Sequence, residues 1–310
     1  MIISASRRTD IPAFFSDWFF RRMQEGFVYV RNPVNPRRVS KIKLSPDIVD
    51  GIVFWTKNPA PMLDRLPEIR EYAYYFQYTI TPYERDIEPN LPEKAEILET
   101  FQRLSERIGA DHVIWRYDPI LINPQYPREE HLRRFAEMAH VLQGFTHKVI
   151  ISFLDVDYRN VQRNARMLAA EKLTAQEQLA LAGELAEIAR GCGMEMNACA
   201  ETMDFSACGI QPAHCIDATL LETLLHSRLH VKKDKSQRTA CGCAESIDIG
   251  MYNTCGHGCR YCYANYNAGE ISKNQRKHDP ASPLLCGMIG PMDTIYERDV
   301  QSSRDNQICF

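Results

Sequence analysis

No apolar run in the 310-residue chain approaches the ~18 residues of a membrane span, so the sequence argues against a membrane helix or a membrane partner. The chain begins Met-Ile-Ile-Ser-Ala-Ser, without the charged-then-apolar leader of a secretory signal, and a cytoplasmic location is expected. An excess of either charge is also lacking. The formal net charge of −3 fits neither a wholesale nucleic-acid coat nor an acidic tail. There is no internal repeat, no low-complexity tract, and no histidine-rich set of the kind a metal-dependent barrel hydrolase would need. The most telling absence is local: cysteine is missing from the first 191 residues, and all eleven cysteines fall between Cys192 and Cys309. In a reducing compartment, such clustering points to a metal or catalytic site rather than a disulfide framework.

Short β-rich apolar runs alternate with longer helical patterns. Strands are expected at Ile2–Ser6, Gly51–Trp55, Tyr74–Ile80, His112–Tyr117, Lys148–Leu154, Met194–Ala198 and Ser246–Met251. Several are apolar almost throughout, as strands covered on both faces are. Helices are expected over 13–25, 60–71, 92–108, 128–142 and 174–191, with Pro61, Pro92 and Pro127 where a first turn tolerates proline. The last helix opens with Thr174-Ala-Gln-Glu177, a capping-box pattern, and closes at Gly191.

Repeated strand–helix units imply an α/β fold, and the expected form is a complete or partial TIM-like (β/α) barrel. Residues 1–310 read as one domain. Within it, 27–45 is a small irregular or two-stranded insertion, 199–245 a cysteine-rich excursion, and 246–310 the last strand, a cysteine loop and a tail. Polar residues gather directly after the strands: Ser6 to Asp10, Thr56-Lys57-Asn58, Thr79-Ile80-Thr81, Arg116-Tyr117-Asp118, Asp155 with Asp157, and Cys199-Ala200-Glu201. In a parallel barrel these strand ends share the face where active sites form.

The strongest chemical signal is Cys255-Gly-His-Gly-Cys259-Arg-Tyr-Cys262, directly after the last expected strand. Thiolates are soft ligands for iron–sulfur clusters and zinc, and this spacing can wrap three corners of a four-iron cube. Three protein ligands leave one iron open for chemistry. Zinc, with a histidine or a fourth cysteine, is the competing reading of the same residues.

The motif, with Tyr261 before the third cysteine, resembles that of the radical S-adenosylmethionine superfamily. Its continuation as Cys259-Arg-Tyr-Cys-Tyr263, together with Glu88-Pro89 and Trp115-Arg-Tyr-Asp-Pro-Ile120, is similar to spore photoproduct lyase relatives. The flanking Asp248-Ile-Gly-Met-Tyr-Asn-Thr-Cys255 also resembles an uncharacterised bacterial family with this motif near its C-terminus. The resemblance implies a 4Fe-4S cluster on Cys255, Cys259 and Cys262, with S-adenosylmethionine bound to the open iron. It also implies a 5′-deoxyadenosyl radical that abstracts a substrate hydrogen, and a reducing partner such as flavodoxin or ferredoxin. Two departures stand out. The motif follows the last strand rather than the first, which a circularly permuted barrel with Ile2–Ser6 beside Ser246–Met251 would explain. The family's Gly-Gly-Glu segment is missing, and Ser4, Ser6 and Asp10 are the expected substitutes, with Tyr261, for cofactor binding. Arg116, Asp118 and Lys57 are the expected catalytic or anchoring groups; a buried Arg–Asp structural pair is the plainer reading of the first two.

Of the remaining cysteines, Cys199, Cys215, Cys241 and Cys243 are expected to form a second metal site, iron–sulfur or zinc, with Cys208 as the replacement if one is misassigned. Cys192, Cys286 and Cys309 look solitary. His214 and His257 are further ligand candidates, with mere occupation of the cluster loop the plainer reading of His257. Two basic stretches, Arg21 to Lys43 and Arg228 to Arg238, read as solvated loops or as phosphate contacts. With Phe19, Phe20, Phe27 and Tyr29 they also suggest a zinc- or iron–sulfur-containing nucleic-acid-binding protein, or a radical enzyme whose substrate is a nucleic acid.

Overall fold

The computed structural model describes residues 1–156 and 158–305; Asp157 and Cys309 lie outside them. Among the described residues, eleven strands run in chain order: β1 (Ile2–Ala5), β2 (Phe27–Arg31), β3 (Arg38–Lys43), β4 (Gly51–Thr56), β5 (Tyr74–Thr79), β6 (Val113–Ile120), β7 (Lys148–Phe153), β8 (Glu195–Cys199), β9 (Gln211–Ala213), β10 (Ile247–Asp248) and β11 (Thr294–Glu297). Eight of them form one sheet in the order β10-β1-β4-β5-β6-β7-β8-β9, and every pairing in it is parallel. All seven expected strands belong to this sheet. Ile3 pairs with Ile247 and Ser4 with Asp248, so the first strand of this sheet lies beside the one that comes last in it along the chain. A complete barrel is not formed: among the described residues, β9 and β10 are the two edges of an open, eight-stranded parallel sheet in an α/β fold.

Parallel strands need long crossovers, and helices supply most of them. Lys94–Ile108, Arg128–Leu142 and Ala175–Gly191 lie between successive strands. Thr174 and Glu177 make both halves of the capping box at the start of the last. The expected helix over 60–71 is instead a 3₁₀ segment, Ala60–Ile69, because Pro67 lies inside it and cannot donate an i→i−4 bond. The insertion is an antiparallel β2–β3 pair, extended by β11 from the tail, which the sequence did not suggest.

Alternation along the strands builds two cores. Ile3, Phe54, Phe76, Trp115 and Val149 face the larger, helix-covered core. Ile2, Val53, Tyr75, Ile114 and Ile150 face a second cluster, closed by Leu221 of the helix Ala218–Leu225 and by Cys215, Cys241 and Cys243. The cysteine-rich excursion is therefore packed against the second face of the sheet. Two residues further along the same period, β5, β6 and β7 present Gln77, Arg116 and Ser152 near the strand ends. Phe19 and Phe20 are fully buried in the larger core, as is the Arg22 side chain, so neither ring is available for stacking on a nucleic-acid base.

Candidate functional site

The cysteine loop is held from four sides. At its root, Asp248 accepts hydrogen bonds from Ser4 Oγ (2.8 Å), Ser6 Oγ (2.5 Å) and the backbone N–H groups of Arg7 (2.8 Å) and Gly250 (2.9 Å). Ser4 and Ser6, expected at a cofactor, thus donate their hydroxyls to the β1–β10 seam. Asp10 Oδ1 caps the short helix Ile11–Phe14, while its Oδ2 takes the N–H of Lys57 (2.7 Å) and His257 Nε2 (2.8 Å). Asn90 donates from its amide to Gly256 O (2.8 Å) and from its backbone to His257 O (3.3 Å), and Arg260 N–H reaches Ile87 O (3.0 Å). Gly258 has φ +71°, a conformation that glycine adopts without strain.

This loop suits a metal cluster by the chemistry of its donors. The backbone N–H of His257 is directed to the Cys255 thiol, and those of Ala264 and Asn265 to Cys262. Hydrogen bonds of this kind tune cluster sulfurs. Burial pushes the Cys255 thiol well up, Cys259 up to about 12, and Cys262 up as well. Three thiols in that state become thiolates only when a cation compensates them, which a bound metal does outright. His257 Nδ1 is buried and has no partner among the described residues.

Next to Cys259 lies a charged cluster that the sequence only hinted at. Glu88 accepts from Lys57 Nζ (2.7 Å), Lys94 Nζ (2.8 Å), Thr81 Oγ1 (2.8 Å) and the Tyr261 hydroxyl. Burial alone would raise its pKa, but the two ammonium groups hold it down to about 2. Burial likewise opposes the charge on Lys57, yet Glu88 and Cys259 keep it raised. Lys57 Nζ also sits 5.6 Å from the Tyr261 ring centroid, within cation–π range. Glu88-Pro89 carried part of the family resemblance, but nothing in the sequence showed that four donors would meet on Glu88.

Arg116 and Asp118 belong to a different group. The guanidinium binds Asp118, whose other oxygen accepts from Ser152, and it donates to Gln77 Oε1 (3.3 Å) and to Cys215 Sγ (2.8 Å). The ion pair of the plainer reading is therefore present, but one arm of Arg116 points at a thiol. Cys215 Sγ also meets Cys199 Sγ at 3.1 Å and contacts Cys243, which in turn contacts Cys241. The four thiols form a continuous chain of contacts. Among the described residues, no three His, Cys, Asp or Glu side chains are arranged as a ready-made single-ion cage. Cys192 and Cys286 lie in the larger core, and Cys208 packs against it. His214 is exposed, its ring lying against Gly242.

Both cysteine groups open on one cavity of about 990 Å³, at the upper end of the range for small-molecule sites. Asp10, Lys57, Arg116, Asp118 and Tyr261 line it, and Lys232, Lys233 and Lys235 of the second basic stretch stand at its wall as exposed cations. The first basic stretch is mostly engaged otherwise: Arg21 and Arg22 pair with Glu25, Arg31 with Asp293 and Lys43 with Glu297.

Fold and site together define an α/β protein with a thiol-lined cavity at the C-terminal ends of a parallel sheet. The chain belongs to the family described as domain of unknown function (DUF1848), which matches residues 2–264 and so takes in the whole large sheet and the cysteine loop. No curated protein matches it.

Proposed function

We propose that this chain is an iron–sulfur enzyme of the radical S-adenosylmethionine type, built on a circularly permuted partial barrel. The observation that carries the reading is the loop of Cys255, Cys259 and Cys262, with Tyr261, set after a parallel strand and open to a large cavity at the strand ends. A cluster bound there would supply one electron to S-adenosylmethionine, yielding a 5′-deoxyadenosyl radical that abstracts a substrate hydrogen. The protein's own work is to position these groups and exclude side reactions. Asp10 fixes His257 and hence the turn between Cys255 and Cys259. Glu88 orients the Tyr261 hydroxyl and keeps Lys57 charged beside Cys259. The pairing of β1 with β10 supports the permutation, because it sets the loop where a first strand would ordinarily set it. Lys232, Lys233 and Lys235 favour a substrate bearing phosphate, a nucleic acid or nucleotide among them.

The test is anaerobic purification with iron and sulfide counting, followed by reduction by dithionite, or by flavodoxin or ferredoxin, with S-adenosylmethionine present. We expect a brown protein, 5′-deoxyadenosine as a product, and loss of about four irons when Cys255, Cys259 and Cys262 are replaced by alanine. A colourless, folded protein with stoichiometric zinc and no sulfide would overturn the reading.

A further inference from the structure

The geometry points to a second thiophilic metal centre, which we propose is held by Cys199, Cys215, Cys241 and Cys243 in the wall of the same cavity. The four come from three separate stretches of chain: the end of β8, the segment after β9, and a Cys-Gly-Cys turn. The second and third stretches are held by hydrogen bonds of their own and to each other. The Cys215 carbonyl accepts from Tyr75 Oη (2.7 Å) and Gln77 Nε2 (3.0 Å) of β5. Cys243 receives Ile216 N–H on its sulfur (3.4 Å) and Asp234 N–H on its carbonyl (2.9 Å). The turn lies against His214, whose ring would have to swing aside for a Cβ on Gly242, 2.1 Å away.

Apolar packing accounts for a buried cysteine here or there, but poorly for this arrangement. Four thiols touch in sequence at the polar end of an otherwise apolar cluster, and a charged guanidinium is aimed at the central one. A neutral thiol is a weak acceptor for a buried cation, whereas a metal-bound thiolate is a strong one. Asp118 balances one side of Arg116; the sulfur side calls for negative charge that ligation would supply. Metal–sulfur bonds of ~2.3 Å hold tetrahedral thiolates about 4 Å apart. Parting Cys199 and Cys215 from 3.1 Å to that separation takes about 1 Å, within the reach of a side-chain rotation. This site shares no ligand with the loop at Cys255, so it stands or falls separately from the radical-enzyme reading.

The experiment is metal and sulfide analysis of the full chain in which Cys255, Cys259 and Cys262 are all alanine, prepared anaerobically. We expect that variant to retain a metal centre, and to lose it when Cys215→Ala and Cys243→Ala are added. Iron with acid-labile sulfide identifies a cluster and zinc a mononuclear site; either supports the proposal. The unmodified protein gives a second readout that does not depend on the variant folding. Mass-spectrometric mapping of alkylation should show all four cysteines protected until a chelator strips the metal, with Cys208 reacting throughout. A folded, metal-free triple variant, chelator-independent alkylation of the four, or a Cys199–Cys215 disulfide in the purified protein would overturn it.

Discussion

Asp10 Oδ2 accepts a hydrogen bond from His257 Nε2 at 2.8 Å, joining the turn after the first strand to the cysteine loop 247 residues later. The same oxygen holds the backbone of Lys57 at 2.7 Å, so a single carboxylate ties three strand ends together. Replacing Asp10 by alanine leaves His257 buried without a partner on either nitrogen. A cost of about 2 kcal/mol in urea unfolding is expected. Metal loss to a chelator should also quicken, several-fold or more. Asp10→Asn, which keeps the helix cap, should be milder on both counts; unchanged metal release in the alanine variant would show that the loop does not depend on this contact.

Glu88 forms ion pairs with both Lys57 and Lys94 in a buried cluster. Glu88→Gln preserves shape but strands two ammonium groups, and breaking a buried pair costs about 3–5 kcal/mol. Chemical denaturation should report a loss of that order. The acid limb follows the same logic. Glu88 is held near pKa 2 in the folded chain against 4.5 unfolded, so its contribution is complete above pH 4.5 and drains away as pH falls towards 2. The glutamine variant should lack that part of the acid sensitivity.

Asp248 is predicted to be the staple of the sheet's first edge. The β1–β10 pairing spans only two residue pairs, yet four donors converge on this carboxylate. Asp248→Ala should destabilise the chain by about 3 kcal/mol. It should also raise hydrogen exchange selectively at Ile247 to Gly250 and at Ser4. Uniform exchange across the sheet would show that the strand pairing holds without it.

His131 sets a pH dependence that involves no cysteine. It is fully buried, with Nε2 on the Leu121 carbonyl (2.9 Å) and Nδ1 on the Tyr117 hydroxyl (2.8 Å). The carbonyl can only accept, so Nε2 carries the proton and Nδ1 takes the Tyr117 hydrogen. Burial lowers its pKa to about 4 from 6.5. The unfolded chain binds the extra proton more readily, so the contribution is full above pH 6.5 and is lost as pH falls towards 4. Unfolding free energies at pH 7.5 and pH 5 should differ more for the unmodified chain than for His131→Gln, by up to ~3 kcal/mol over the full window. Parallel pH profiles would rule this out.

The large sheet was legible because its strands are nearly continuous apolar runs, a pattern that survives without knowledge of their neighbours. β9 was not, since Gln211-Pro212-Ala213 has strand character only through pairing with Asn197 to Cys199. The tail strand β11 is equally contextual, being mostly exposed and aligned by β3. At the site, spacing singled out Cys255, Cys259 and Cys262, and compartment chemistry grouped Cys199, Cys215, Cys241 and Cys243. Spacing could not show that Ser4 and Ser6 serve a seam, because Asp248 lies 244 and 242 residues away from them. Nor could it place Glu88 at the meeting point of Lys57, Thr81, Lys94 and Tyr261, which come from four segments. Phe19 and Phe20 looked like stacking surfaces beside a basic run, whereas the helix Ser16–Glu25 turns both into the core.

The neighbourhood of β1 and β10 also dictates a timetable. During synthesis the first strand must wait for its outer partner until nearly 250 residues have emerged, and contacts of such long sequence separation form slowly. Until then the sheet's edge at β1 stays bare, and the cysteines from Cys192 onward emerge before the wall that will hold them is complete. A metal taken up by either thiol group, as proposed, would thereby arrive late, on a nearly finished fold, and an interrupted chain would leave behind an adhesive strand edge.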